Sequence, residues 1–260
     1  MTRPLYIILG VNPADRILLA DFLIRTGWEA SEKVSLWLEE ADLPTTEHKL
    51  ARQIQIEAIA SGTPTIPAGE ESEAAFLLPP LGDDPRDWLE AVRGWQEEFD
   101  LDLARIITIF DCPAVHDHPS LRQWYDACMH FSDVLLFSHR DAVEKKWVSE
   151  LERDLQKHAY PFMVATLKKS GAVEGPSELL FPEARRLSQF FDEPEPLEAP
   201  TEYMGIEIVD ETPEEVLEEI EDEEGEAEPQ PGDAASDPYL ARYDYGQRKI
   251  KIPLPPQILA

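Results

Sequence analysis

Short apolar runs alternate along the chain with longer stretches of helical period. The runs "PLYIILG", "KVSLWLE", "AAFLLP", "ARIITIFD", "DVLLFS" and "PFMVATL" are six to eight residues long. They are too short for helices and almost without polar interruption, which predicts strands buried on both faces. The intervening pattern predicts helices over residues 14 to 25, 47 to 60, 86 to 99, 120 to 131 and 142 to 158. In the first of these, Ile17, Leu18, Phe22 and the neighbouring leucines form a broad apolar face, and Gly27 supplies a stop. Strand alternating with helix is the signature of a parallel sheet covered on both sides. The expected fold class is therefore three-layer α/β, a mostly parallel sheet with helices on both faces.

The pattern stops near residue 191. Residues 192 to 237 hold 20 Asp and Glu and no Lys or Arg, two thirds of the whole chain's formal charge of −30. With scattered prolines and little apolar content, such a segment buries too little surface to offset chain entropy, so an acidic disordered linker is expected there. Residues 238 to 260 differ again, with three tyrosines and four basic residues against a single acid. The alternation Lys249, Ile250, Lys251, Ile252 is compatible with a strand added to a sheet edge. A tail folded back onto the acidic body is the other reading, and the sequence leaves both open. The expected organisation is a domain over 1–191, a linker over 192–237 and a docking segment over 238–260, through which, or through the domain surface, a protein partner is expected.

The charge narrows the function classes. A net negative surface repels phosphate backbones, so nucleic-acid binding is not expected. The apolar run near the N-terminus is broken before it reaches membrane-spanning length and no small-residue cleavage site follows it, so a cytoplasmic, membrane-free protein is expected. Cys112 and Cys128 lack the spacing of a metal site or a disulfide framework, and two buried thiols are the simpler account.

Candidate chemistry begins at "IILGVNPADRILLADFL": a strand, a glycine, a short loop and a helix, the layout of a phosphate-binding loop. The loop consensus laid from Gly10 falls on Asp15, Arg16 and Ile17 where Gly-Lys-Ser/Thr is required. Asp15 brings a negative charge to a phosphate site, Pro13 removes an amide donor, and Ile17 offers no hydroxyl to magnesium. Arg16 keeps the cation in a different shape. The same residues also read as a plain helix start, with Asn12 as cap, Pro13 in the first turn and Asp15 favourable to the helix dipole.

Further along, "AFLLPPLGDDPRDWLEAV" offers Gly82 and Pro85, "ARIITIFDCPAV" ends a strand at Asp111, and "SHRD" places Ser138, His139 and Asp141 after another strand. In this order the pieces resemble the CobW/HypB/UreG family of P-loop GTPases over roughly residues 3 to 170. The family has a Glu-Thr-Ser-Gly-like motif where Gly82 stands, a strand ending in aspartate where Asp111 stands, and Asn-Lys-x-Asp where "SHRD" stands. The resemblance implies a P-loop NTPase-like fold and a nucleotide site whose matching positions are Gly10, Asn12, Asp15, Arg16, Ile17, Gly82, Asp111, Ser138, His139 and Asp141. It implies GTP and magnesium as cofactors only if the loop still works. Asp141 keeps the carboxylate that reads guanine in the family, while the phosphate-binding lysine, the magnesium hydroxyl and the cysteine metal motif are unmatched.

The expectation is a catalytically degenerate, CobW-like interaction scaffold or regulator without GTP hydrolysis and with no catalytic residues. Two alternatives stay open at this point. One is a divergent nucleotide-binding protein, GTPase or metallochaperone-like, that uses Arg16 and Asp141. The other is a small metal-binding module at His116 and His118, with Asp111 and Cys112 near. An acid/base pair of His139 with Asp141 is a weaker possibility, as no nucleophile accompanies it.

Overall fold

The computed structural model describes residues 2–43, 50–67, 72–192 and 232–259. Seven parallel strands form one sheet in the order β3-β2-β4-β1-β5-β6-β7. They are β1 (Arg3–Gly10), β2 (Val34–Glu39), β3 (Ile54–Ile59), β4 (Ala74–Leu78), β5 (Leu101–Asp111), β6 (Val134–Ser138) and β7 (Met163–Thr166). The helices are α1 (Pro13–Gly27), α2 (Pro85–Glu98), α3 (Cys112–Asp117), α4 (Leu121–Phe131), α5 (Lys145–Lys157), α6 (Pro176–Leu180) and α7 (Pro255–Leu259). The three-layer α/β class read from the sequence is the one observed, with its central strand β1 leading through a short loop into α1 as in P-loop NTPase-like folds. Among the described residues no helix is long and apolar enough to cross a membrane.

The two-residue period of the strands distributes the core. Tyr6 and Ile8 of β1, Leu36 and Leu38 of β2, Phe76 of β4 and Leu136 of β6 pack on one face with Leu19, Leu23 and Ile24 of α1. Leu5, Ile7, Leu77, Leu135 and Phe137 point to the other, against Trp88 and Val92 of α2, Trp124 and Cys128 of α4, and Leu151 and Leu155 of α5. The central strands are sealed on both faces, which explains why they read as unbroken apolar runs. At the edges, the side chains of β3 and β7 are mostly only part-buried or exposed.

One expected element is corrected. The helix over 47 to 60 is in its second half the strand β3, paired in parallel with β2 from Val34 opposite Ile54 to Glu39 opposite Ile59. The stretch Ile54, Gln55, Ile56, Glu57 alternates strictly, a strand period that a reading of the longer window as a helix averaged away. Residues 47 to 49 of that expectation lie outside the described residues. In contrast, α1 begins as expected: Asn12 caps it, its Oδ1 accepting from the amides of Ala14 at 3.1 Å and Asp15 at 3.4 Å.

The chain then crosses the amino-terminal side of the sheet. Asp133, fully buried just before β6, accepts from the amides of Ile106 (2.8 Å) and Arg185 (2.7 Å) and from the Arg186 guanidinium (3.3 Å). Burial pushes its carboxyl above the ordinary value, against the pull of Arg186 and the two amides. The expected acidic linker falls mainly on residues 193 to 231, outside the described residues. Beyond it, residues 232–259 lie against α2 and α4 of the same chain, with Leu240 buried in the core beside them. Arg248 pairs with Asp87 and Glu90, Arg86 donates to the carbonyls of Tyr239 and Ile250, and Asp237 meets His130 at 2.8 Å and Ser188 at 2.5 Å. Residues 249–252 join no strand of the sheet. Of the two sequence readings of this tail, edge-strand addition is corrected and folding back is what the structure shows. The reason is that its arginines find the acids of α2.

Candidate functional site

Strand β1 lies between β4 and β5, so the connections diverge on either side of it and leave a crevice at the carboxyl ends of the strands. In open α/β sheets this is where ligands bind. Three elements meet here: the start of α1 after β1, the end of β5, and the end of β6. They bring Asp15, Asp111, Ser138 and His139 together. One oxygen each of Asp15 and Asp111 and one ring nitrogen of His139 all lie within 4.8 Å of one another. His139 Nδ1 is 3.5 Å from Asp15 Oδ2 and 3.8 Å from Asp111 Oδ2.

Each of these side chains is positioned by its backbone. Asp111 caps α3, its Oδ1 accepting from the Ala114 amide at 3.0 Å, while its own amide donates to the buried Tyr125 hydroxyl at 3.2 Å. His139 has φ 52° and ψ 32°, the left-handed region that costs a residue with a Cβ on the order of 1 kcal/mol or more. Its ring is part-buried and stands between the two carboxylates. Asp15 is 7% exposed and its Oδ2 has no hydrogen-bond partner, and the same holds for the Oγ of Ser138, 2% exposed. Burial pushes the Asp15 carboxyl above its ordinary value, with His139 and the nearby Ser138 hydroxyl pulling it back and Asp111 adding to the rise.

The other expected site residues are elsewhere. Arg16 does not face the crevice: its guanidinium is 1% exposed, held by the Pro79 carbonyl and by Asp42 at 2.6 Å each. Burial lowers its pKa and Asp42 opposes the fall, leaving an internal cation with an internal partner. Ile17 is a core residue packed beneath α1. Gly10 has a structural duty, since a Cβ there would stand 3.1 Å from the Ile109 carbonyl of β5. Gly82 belongs to the loop in which Asp83 fastens the end of β3 through Ser61 and Gly62.

Asp141 is exposed and paired with Lys169 at 2.9 Å, whose hydrogen bond and charge hold its carboxyl below the ordinary range. It does not pair with His139. His116 lies in the short helix α3 and His118 caps its end; the helix is started by the Asp111 cap with Pro113 in its first turn. The His116 ring contacts its neighbour Asp117 at 2.8 Å and packs edge-on against Trp147. Neither histidine joins a three-ligand group among the described residues. Cys112 and Cys128 are free and buried, and burial raises the Cys112 thiol to about 12.

Sequence reasoning named Asp15, Asp111, Ser138 and His139, but as scattered nucleotide contacts. It missed Asp42, which carries the Arg16 charge. The signal was indirect: an arginine among the apolar residues of a buried helix requires a buried acid somewhere.

No protein-family model matches the chain, and no curated protein matches it. Among solved structures, the Zn(II)-bound YjiA GTPase from E. coli is 12% identical, with a TM-score of 0.48, over 70% of this chain and 62% of that one. The chain thus spans less than two thirds of YjiA. The hydrogenase maturation factor HypB from Archaeoglobus fulgidus is 14% identical, with a TM-score of 0.41, over 69% of this chain and 87% of that one.

Proposed function

We propose that this domain is a P-loop-type fold that does not hydrolyse nucleotide and acts as a binding scaffold, with its carboxyl-end crevice and docked C-terminal segment as the working surfaces. The observation that carries the reading is the state of Arg16. Phosphoryl transfer relies on a cation at this point of the loop to cradle the phosphates and on a hydroxyl to hold magnesium. Here the cation is turned inward onto Asp42 and Pro79, the hydroxyl position is the core residue Ile17, and the crevice presents two carboxylates where an anion would sit. Like charges at this distance disfavour phosphate binding. The same observation weighs against the divergent-nucleotide alternative, whose phosphate ligand would be Arg16.

The test is calorimetric titration of the full chain with GTP, ATP and GDP, with and without magnesium, alongside a phosphate-release assay. The expected outcome is no binding at millimolar nucleotide and no release above buffer. Magnesium-dependent micromolar binding of any of them would overturn the reading. Arg16→Ala is a poor probe here, because it would leave Asp42 without its partner and damage the fold whether or not nucleotide binds.

A further inference from the structure

We propose that Asp15, Asp111 and His139 form a binding site for a divalent transition-metal ion of the zinc class, supported by the Ser138 hydroxyl. The inference goes beyond the scaffold reading and does not depend on it. Its basis is a mismatch between burial and partnering. Asp15 and Ser138 are more than nine-tenths buried, yet Asp15 Oδ2 and Ser138 Oγ have no hydrogen-bond partner. A buried carboxylate oxygen without a donor is costly, and a second carboxylate, Asp111, stands within 4.8 Å of it.

A dication at the point between these groups removes both penalties at once. It supplies the missing partner to Asp15 and neutralises its repulsion with Asp111. The distances suit it. In a tetrahedral shell with zinc bonds of about 2.0 to 2.2 Å, ligand atoms stand about 3.3 to 3.6 Å apart. The separations of 3.5 and 3.8 Å from His139 Nδ1 need only small side-chain rotations to reach that. One imidazole nitrogen with two carboxylate oxygens is a donor set of intermediate hardness, suited to zinc, cobalt or manganese rather than to thiophilic ions. Three protein ligands leave a position of the shell for water or an external group.

The backbone supports the same reading. His139 is one of two described non-glycine residues with positive φ, and its Nδ1 stands 3.5 Å from Asp15 Oδ2. A simple His-carboxylate ion pair would be the competing account. It explains His139 with one carboxylate, but not why Asp111 Oδ2, on the side of the carboxyl not used to cap α3, also faces the same ring nitrogen at 3.8 Å.

The experiment uses the full chain, freed of metal by chelation, and zinc(II) and cobalt(II) as probes. Isothermal titration is expected to give one equivalent with micromolar or tighter affinity, and cobalt is expected to develop visible d–d absorption that zinc displaces. Asp15→Asn and His139→Asn keep local shape, and asparagine tolerates the left-handed backbone. Each is expected to weaken zinc binding on the order of 100-fold, with the metal-free melting temperature confirming that both variants are folded. The pair His116→Ala/His118→Ala is expected to bind as the natural chain does. No zinc binding below millimolar concentration would overturn the proposal. So would binding that survives both asparagine variants, or binding lost only in the His116/His118 pair. Any of these would leave the non-hydrolytic reading standing, since that rests on Arg16.

Discussion

Asp133 and Asp15 are carboxylates buried at opposite ends of one sheet, and they live in opposite circumstances. Asp133 is wholly buried and accepts three hydrogen bonds, two from backbone amides and one from a guanidinium. Asp15 is nearly as buried, has an oxygen with no donor, and sits beside another acid. Burial raises the pKa of both, so desolvation alone does not tell them apart. Partnering does. A buried charge whose hydrogen-bonding capacity is met from within the chain is a fastening, here tying the 181–192 return to β5 and β6. A buried charge left short is one that the fold holds at a cost, and such costs concentrate where something external binds.

The comparison can be broken by mutation, and the largest effect belongs to the amino end. Asp133→Ala is expected to cost roughly 3–5 kcal/mol in denaturant unfolding, because it orphans two amides and a buried guanidinium. A loss under about 1 kcal/mol would mean that the three contacts are incidental.

A pH series sharpens the same point. Because burial holds the folded carboxyl of Asp133 above its ordinary value, the folded state keeps a proton that the unfolded chain releases. The natural chain therefore gains stability from this group as pH falls through the raised value toward about 3.8, whereas an asparagine at the position does not. The gap in melting temperature between the natural chain and Asp133→Asn should be smaller at pH 7 and wider near pH 4. A gap that narrows on acidification would show that the fastening lowers the pKa instead.

The smallest effect is the most diagnostic. Asp15→Asn, measured in metal-free protein, is expected to leave stability unchanged or raise it by less than about 1 kcal/mol, since it removes a desolvated charge whose Oδ2 accepts no hydrogen bond and which sits beside a second acid. A destabilisation of the size expected for Asp133→Ala would make the two ends equivalent and remove the contrast.

Much of the scaffold was legible from the chain. The six apolar runs are six of the seven strands, and the cap of α1 was readable because Asn12 precedes Pro13 at the helix start. Strand β3 was not, since its short alternation at a half-exposed edge was merged with the less regular text before it. The site was half legible. Each member stands at the end of a strand or the start of a helix, which local pattern finds. That Asp15 faces His139 across 124 residues of sequence is a property of strand order, and that Arg16 faces away from them depends on Asp42, in a segment with no readable role. Side chains at adjacent positions of α1 thus have opposite fates, and a consensus laid along the text cannot separate them.

The seat of the C-terminal segment has one more consequence. Leu240 fills the core beside α2 and α4 while Arg86 and Arg248 clasp it from both directions across the junction. Whatever path residues 193 to 231 take, the covalent join does not make this contact; the plug and its socket do. The segment beyond the acidic stretch is therefore part of the domain's own core, and its loss would open the outer face of α2 and α4.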